Sequence, residues 1–229
     1  MENKKHVIIY LTIIVLLITL TSIFGVNYYS KKVLDSEVKN ILKKDVSKSQ
    51  FTTKTKAFFG YGKVEEAIKK YMKDYSDNIK KADGIINDET IKKVLSMSNY
   101  ESDGPKFDKS LKYLESRKNE FNNTIQKLIK MTNEKEIMTY INKYKLSDKY
   151  TTLYKNYMFG KEYLKDIENN KKIINKINET GSKILNTDIE VLKFLKDNSN
   201  EWTLKDGAIF FKANSLMEKY NSMIEVLNK

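Results

Sequence analysis

The sequence has no cysteine, a single proline (Pro105) and a single histidine (His6). Without cysteine the chain forms no disulfide bond, and no lipid-modified cysteine tethers it to a membrane. With one proline and eight glycines among 229 residues, few positions interrupt a helix. These shortages exclude a disulfide-bonded scaffold and favour long helices.

The same shortages leave few residues for catalysis. Residues 27–229 contain neither histidine nor cysteine, which excludes Ser–His and Cys–His nucleophiles there. An ordinary zinc or other transition-metal site would have to be built from carboxylates alone. A glycosidase needs only two carboxylates and is not excluded by residue type, but no pattern marks its cleft. We therefore predict a non-enzymatic protein without catalytic, cofactor-binding or metal-binding residues.

One long apolar run is present, from Val7 to Val26, and its twenty residues include no charge. A helix of that length rises about 30 Å, which matches the hydrocarbon core of a bilayer. Fourteen of the residues are Val, Ile, Leu or Phe, and together they favour insertion by about 4 to 8 kcal/mol. The run is longer than the apolar core of a cleaved signal peptide, and no A-x-A-like site follows it. The sequence predicts a retained transmembrane signal anchor.

The residues on either side of this run suggest how it sits in the membrane. Tyr28 and Tyr29 follow at the position of interfacial aromatics, and Lys31 and Lys32 can reach lipid headgroups. Lysines flank both ends, and long domains translocate largely regardless of charge. The basic N-terminus followed directly by the apolar run favours a signal anchor. We therefore expect a short cytoplasmic N-terminus, with residues 27–229 outside the cytoplasm.

The charge of the chain is strongly positive, +12 overall. Without Lys4, Lys5 and Glu2, residues 27–229 carry 40 basic and 29 acidic residues, or +11. All basic residues except Arg117 are lysines, whereas phosphate and nucleic-acid sites favour the arginine fork. The lysines indicate either an AT-rich genome or attraction to anionic lipid or an anionic wall polymer. Nucleic acid is not expected as the main partner.

Apolar residues at helical spacing follow the anchor. The first stripe could lie on the membrane surface or pack as a stalk against the domain; it comprises Val33, Leu34, Val38, Ile41, Leu42 and Val46. A second stripe has the 4-3 spacing of a coiled-coil seam; it comprises Phe107, Leu111, Leu114, Lys118, Phe121, Ile125 and Leu128. Gly84 is predicted to end a helix, residues 99–105 to form a loop, and the long helical stretch after Ser147 to break at Gly160 or Gly181.

The C-terminal part has a different pattern. Asp206 and Gly207 separate two β-prone runs, which predicts a two-residue hairpin. A capping box at Ser215 and Glu218 predicts the start of a last helix. If the outer face of the hairpin is aromatic, Trp202, Phe210 and Phe211 are the best candidates for a contact patch; otherwise they fill the end of the bundle.

The predicted fold is all-α. It has an N-terminal single transmembrane helix, then an elongated multi-helix bundle with one small β-hairpin near the C-terminus. The predicted segments are residues 1–6 (cytoplasmic N-terminus), 7–26 (signal anchor), 27–59 (juxtamembrane amphipathic helix or stalk) and 60–229 (helical bundle), the last including a hairpin at about 201–212 and a helix at about 215–228.

These patterns predict a membrane-anchored, extracytoplasmic protein of a bacterial cell envelope that binds another envelope component or itself. The envelope component could be a protein or an anionic wall polymer. One alternative is a basic domain on the cytoplasmic face of the membrane that binds anionic lipid or nucleic acid. A further alternative is a sensor ectodomain that works with a membrane partner. The sequence gives no oligomeric state.

Overall fold

The computed structural model describes residues 25–227, except for the side chains of residues 161–166. Apart from Gly25 and Val26, the predicted anchor at residues 7–26 lies outside the described residues, as does the N-terminus at residues 1–6. Within the described part, no helix combines the length and the apolar character needed to cross a bilayer. The chain is mostly helical (75%) with a small two-stranded hairpin near the C-terminus, which confirms these two features of the predicted fold.

The elements follow one another as a series of helices interrupted once by the hairpin. They are α1 (25–42), α2 (Phe59–Ile86), α3 (Glu89–Lys93), α4 (Met97–Asp103), α5 (Asp108–Met131), α6 (Glu134–Asn142), α7 (Asp148–Met158), α8 (Lys161–Asp197), β1 (Trp202–Lys205), β2 (Ala208–Phe211) and α9 (Asn214–Leu227). The chain divides into two compact units. Among the described residues, the first unit holds those up to Ser76 together with Asn133–Asp166, and the second holds Asp77–Thr132 together with those from Ile167 onward.

In the first unit the apolar stripe of α1 is buried. Leu34, Val38 and Ile41 are at most 5% exposed, and the other three members, Val33, Leu42 and Val46, are half-buried. The centre of the stripe therefore packs inside the protein and is not free to lie on a membrane. Residues 27–59, predicted as a stalk or surface helix, thus belong to the first unit.

Tyrosines fill much of the interior of this unit. Tyr71 stacks on Tyr75 at 6.0 Å between ring centroids and meets Tyr140 edge-on at 5.4 Å. The hydroxyl of the buried Tyr154 donates to the carbonyl of Ile137 at 2.9 Å. Such pairs add specific geometry to the apolar area that each ring buries.

In the second unit the predicted seam of α5 is buried. Its apolar members are all at most 8% exposed: Leu111, Leu114, Phe121, Ile125 and Leu128. Helix α8 passes close to this seam at Gly181, where an added Cβ would lie 2.7 Å from Cε2 of Phe121 and 2.9 Å from Cδ1 of Ile86. The absence of a side chain at this position therefore allows the close approach.

The hairpin forms where Asp206 and Gly207 predict it. Its strands are antiparallel, with Trp202 opposite Phe211 and Lys205 opposite Ala208. Both turn residues have positive φ, 51° for Asp206 and 75° for Gly207, as a two-residue turn with the twist of the strands requires. The long stretch after Ser147 breaks at Gly160, between α7 and α8, and continues through Gly181.

Three predicted helix boundaries differ from the structure in detail. The predicted loop at residues 99–105 is found only at Gly104 and Pro105, because α4 covers Met97–Asp103; the Ser96 side chain accepts from the N–H of Asn99, and Tyr100 is buried. Gly84 does not end α2, which continues to Ile86 because Ile85 is buried and holds the last turn in place. The last helix is found at about the predicted place, Asn214–Leu227, but the predicted capping box is wrong, because Ser215 lies inside the helix and the N–H of Met217 bonds to the carbonyl of Ala213.

Candidate functional site

The four residues predicted at the membrane interface lie at the start of the described part of α1. Tyr28 and Tyr29 are 64% and 60% exposed, and Lys31 and Lys32 are exposed beside them. The Nζ of Lys32 lies 4.7 Å from the centroid of the Tyr28 ring, a cation–π arrangement. These residues have the exposure that an interfacial position requires.

A second exposed aromatic pair lies at the same end of α1. Ser30, which is fully buried, accepts from the N–H of Phe58 at 2.8 Å and donates to the carbonyl of Phe58 at 3.0 Å. These two hydrogen bonds fix the backbone of Phe58 against α1, directly beside Tyr29. Phe58 is 52% exposed and Phe59 is 73% exposed.

These aromatics are the four most exposed large hydrophobic residues among the side chains that the structure describes. Exposed apolar groups that cluster indicate a binding surface, whereas single ones are normal. We call Tyr28, Tyr29, Phe58 and Phe59 the aromatic surface. Phe59 also has a φ of 52°, in the left-handed region that a bulky residue rarely occupies.

A buried ionic cluster fixes the segment that leads to Phe58. The carboxylate of Glu65, which has no exposed surface, accepts from the backbone N–H groups of Lys56 and Ala57 at 2.9 Å and 2.7 Å. Its other partner is the ammonium of Lys69, at 2.5 Å. The extended segment before α2 is therefore held by α2 itself.

Lys69 uses its three N–H donors inside the protein. Besides Glu65 it contacts Glu37 at 3.0 Å and the carbonyl of Lys54 at 2.7 Å. Hydrogen bonds from Lys56 and Lys69 lower the pKa of the Glu37 carboxyl below its ordinary value. A cavity of about 500 Å³ adjoins this cluster. Because the buried charges are paired with one another, the cluster acts as a structural clamp.

The predicted contact patch on the hairpin is divided between two faces. Trp202 is 7% exposed, stacks on Phe107 at 6.1 Å and donates its indole N–H to the carbonyl of Leu195 at 2.7 Å. Phe211 lies opposite Trp202 and contacts the rings of Phe194 and Tyr220. Trp202 thus belongs to the interior, because Phe107, directly before α5, and Leu195 on α8 cover it.

Phe210 lies on the other face of the hairpin and is 50% exposed. Of the three residues it presents the most open aromatic surface. Binding of a partner there stays a prediction.

A polar groove of about 620 Å³ lies in the second unit, between α3, α4 and the start of α5. Its main polar groups bond to one another: Ser110 donates to Asn99 at 3.0 Å, and Asp103 accepts from the N–H of Ser110 at 2.7 Å. These bonds fix the helix ends. No group of three or more metal-ligating side chains is found in the described part of the chain.

Sequence patterns did not identify Phe58, Phe59 or the Glu65–Lys69 pair as a site. The sequence places Phe58 and Phe59 only at the end of the predicted stalk, residues 27–59. The signals available were two adjacent bulky aromatics outside any apolar stripe, and an acid and a lysine four residues apart. Neither signal shows which distant segment the residues contact.

Comparison with known proteins finds no matching family model, no similar curated protein and no similar solved structure.

Proposed function

We propose that this chain is a single-pass membrane protein of a bacterial cell envelope, with its helical bundle on the outer side of the membrane. The observation that supports the proposal best is the order of features along the chain. An uncharged run of twenty residues, Val7–Val26, is followed at once by exposed tyrosines and lysines on α1. Apolar core, aromatic belt and cationic flank in that order are typical of an anchor leaving a bilayer.

We further propose that the protein acts by binding rather than by catalysis, with another envelope component or a second copy as its partner. The exposed Phe210 on the hairpin supports a contact at that end of the second unit. The net positive charge supports an anionic wall polymer as one of the partners.

The topology is tested by cysteine labelling, because the chain has no cysteine of its own. Asn200→Cys places a thiol at an exposed position before the hairpin, and Asn3→Cys places one before the apolar run. Intact cells are treated with a membrane-impermeant maleimide. We expect the thiol at position 200 to react in intact cells and the thiol at position 3 to react only after lysis.

The reverse labelling pattern would contradict the proposal. It would place the basic bundle in the cytoplasm and favour binding of anionic lipid or nucleic acid. Release of the protein from the membranes by alkaline extraction, with both thiols labelled only afterwards, would contradict the anchor itself.

A further inference from the structure

We propose that Phe58 and Phe59 form a second contact with the lipid bilayer, inserted among the headgroups beside the anchor. This inference rests on the proposed function, because it requires residues 7–26 to span the membrane. It adds a lipid-binding site in a part of the chain that is 32 residues away from the end of the apolar run.

The position of Phe58 along the bilayer normal follows from its attachment to α1. The described chain is helical from residue 25, so Ser30 lies about 6 Å beyond Val26 along the helix axis. The headgroup layer on one side of a bilayer is about 5 to 8 Å thick. Because Phe58 is bonded to Ser30 through both its N–H and its carbonyl, an anchor that ends at Val26 and leaves the bilayer along its normal places the backbone of Phe58 within that layer.

The exposure of the side chains indicates an apolar environment beyond the protein. Phe59 is the most exposed large hydrophobic residue of the described chain, at 73%. Phenylalanine has no polar group that gains from contact with bulk water, whereas aromatic rings are favoured at the membrane interface. Of the ten exposed large hydrophobic residues among the described side chains, five belong to this end of α1, namely Val26, Tyr28, Tyr29, Phe58 and Phe59.

The local charge and the local rigidity fit a lipid surface. Lys31 and Lys32 lie next to the aromatic surface and are exposed, so they can pair with anionic headgroups. The Glu65 carboxylate holds Ala57 by its N–H at 2.7 Å, directly before Phe58. The pair is therefore presented on an ordered backbone, which reduces the entropy lost on insertion.

Site-directed spin labelling of the full-length protein tests the inference. Single cysteines replace Phe59 (Phe59→Cys) and Asn40 (Asn40→Cys), and each protein is labelled with a nitroxide and reconstituted in vesicles of phosphatidylcholine and phosphatidylglycerol. Asn40 is the matched control, because it is exposed on the same helix but about 21 Å beyond Val26. Collisions are measured with oxygen, which concentrates in lipid, and with a water-soluble nickel chelate.

We expect the ratio of oxygen to nickel collisions to be several-fold higher at position 59 than at position 40. An equal ratio would show that position 59 is in water, and protection from both reagents would show that a protein covers it. Either result would overturn the inference. Phe58→Cys serves as a second position if the label at position 59 lowers the helical content.

Two measurements separate a failure of this inference from a failure of the anchor. Flotation of the unlabelled protein with the vesicles after alkaline washing reports the anchor, and a label at Tyr29→Cys reports the level of α1. If the protein floats and position 29 lies at the interface while position 59 lies in water, only the second contact is overturned. If the protein does not float, both proposals are overturned.

Discussion

At the residue scale, Glu65 shows how a buried charge can hold an extended segment. Its carboxylate is fully buried yet accepts two backbone N–H groups and pairs with Lys69. Burying a carboxylate is costly unless hydrogen bonds and an opposite charge compensate it. In this protein the hydrogen bonds and the Lys69 ammonium compensate the cost, and the chain between α1 and α2 follows a fixed path.

Neutralising this carboxylate should destabilise the protein. Glu65→Gln leaves the N–H groups of Lys56 and Ala57 with a neutral oxygen as acceptor, and its amide NH2 replaces the oxygen that faces the Lys69 ammonium, so that one donor faces another. We expect a loss of about 2 to 3 kcal/mol in the free energy of unfolding. Chemical denaturation of the full-length protein in mild detergent, followed by circular dichroism, measures it.

Glu66→Gln is the matched control, because Glu66 is the next residue and pairs with the half-exposed Lys63 at 2.9 Å. We expect it to cost less than about 0.5 kcal/mol. Equal losses for the two variants would contradict the role of Glu65 as a clamp.

Asp188 makes the folded protein less stable as the pH rises, whereas a paired carboxylate makes it more stable. Burial raises the pKa of Asp188 from 3.8 to about 7, so the folded state holds a proton that the unfolded state releases above pH 4. The contribution of Asp188 to the free energy of unfolding is fully present below pH 4 and is lost as the pH rises towards 7. The free energy of unfolding should fall by up to about 4 kcal/mol over that range through this group alone.

Comparison of two variants on α8 tests this pH dependence. Asp188→Asn should remove most of the decrease in melting temperature between pH 5 and pH 7.5, whereas Glu190→Gln, at an exposed position two residues away, should keep it. If the two variants showed the same pH dependence, Asp188 would not be the titrating group.

At the scale of elements, α8 packs closely because one of its residues has no side chain. A Cβ at position 181 would overlap with the Phe121 ring on α5 and the Ile86 side chain on α2. Gly84 lies in α2 with no atom within 4 Å of its added Cβ. The two glycines therefore separate the effect of packing from that of helix propensity.

Alanine at these two positions should act in opposite directions. Gly181→Ala forces side chains apart and should cost about 1 to 3 kcal/mol, against a propensity gain of up to about 1 kcal/mol. Gly84→Ala makes no contact and should stabilise the protein by up to about 1 kcal/mol. Thermal unfolding compares the two, and stabilisation by both would contradict the close approach at Gly181.

Local signals explain which elements the sequence could predict. The seam from Leu111 to Leu128 and the turn at Asp206 and Gly207 depend on residues close together in the chain, and both are found in the structure. The prediction that Gly84 ends α2 is wrong because the burial of Ile85 outweighs the local preference of glycine for the end of a helix.

Local signals could not predict the polar contacts of the site. Ser30 and Phe58 are 28 residues apart, and nothing in either segment specifies the other. The burial of Trp202 likewise depends on Phe107, which is distant in the chain. Contacts of this kind follow from the tertiary path, which periodicity does not reveal.

At the scale of the whole molecule, the net charge of +12 is carried almost entirely by lysine. Exposed lysines attract a polyanion over a distance set by salt, without the bidentate geometry of arginine. We therefore expect attraction that is spread over the surface and does not depend on one pair of residues.

The full-length protein in neutral detergent should bind to immobilised polyphosphate and not to neutral dextran. Binding should be strong at about 10 mM salt and lost before about 1 M, as the screening length falls from about 30 Å to about 3 Å. Lys31→Gln with Lys32→Gln should elute only slightly earlier than the unchanged protein. Loss of retention in that double variant would indicate a local anion site, and salt-independent retention would contradict simple attraction.

The enclosure of Lys69 also has a chemical consequence. An amine reacts with an acylating reagent through its free lone pair, and this ammonium is 5% exposed with its N–H donors committed to Glu37, Glu65 and Lys54. In a chain so rich in lysine, Lys69 should be among the last to be acylated. Its modification would then report the moment at which the segment before Phe58 detaches from α2.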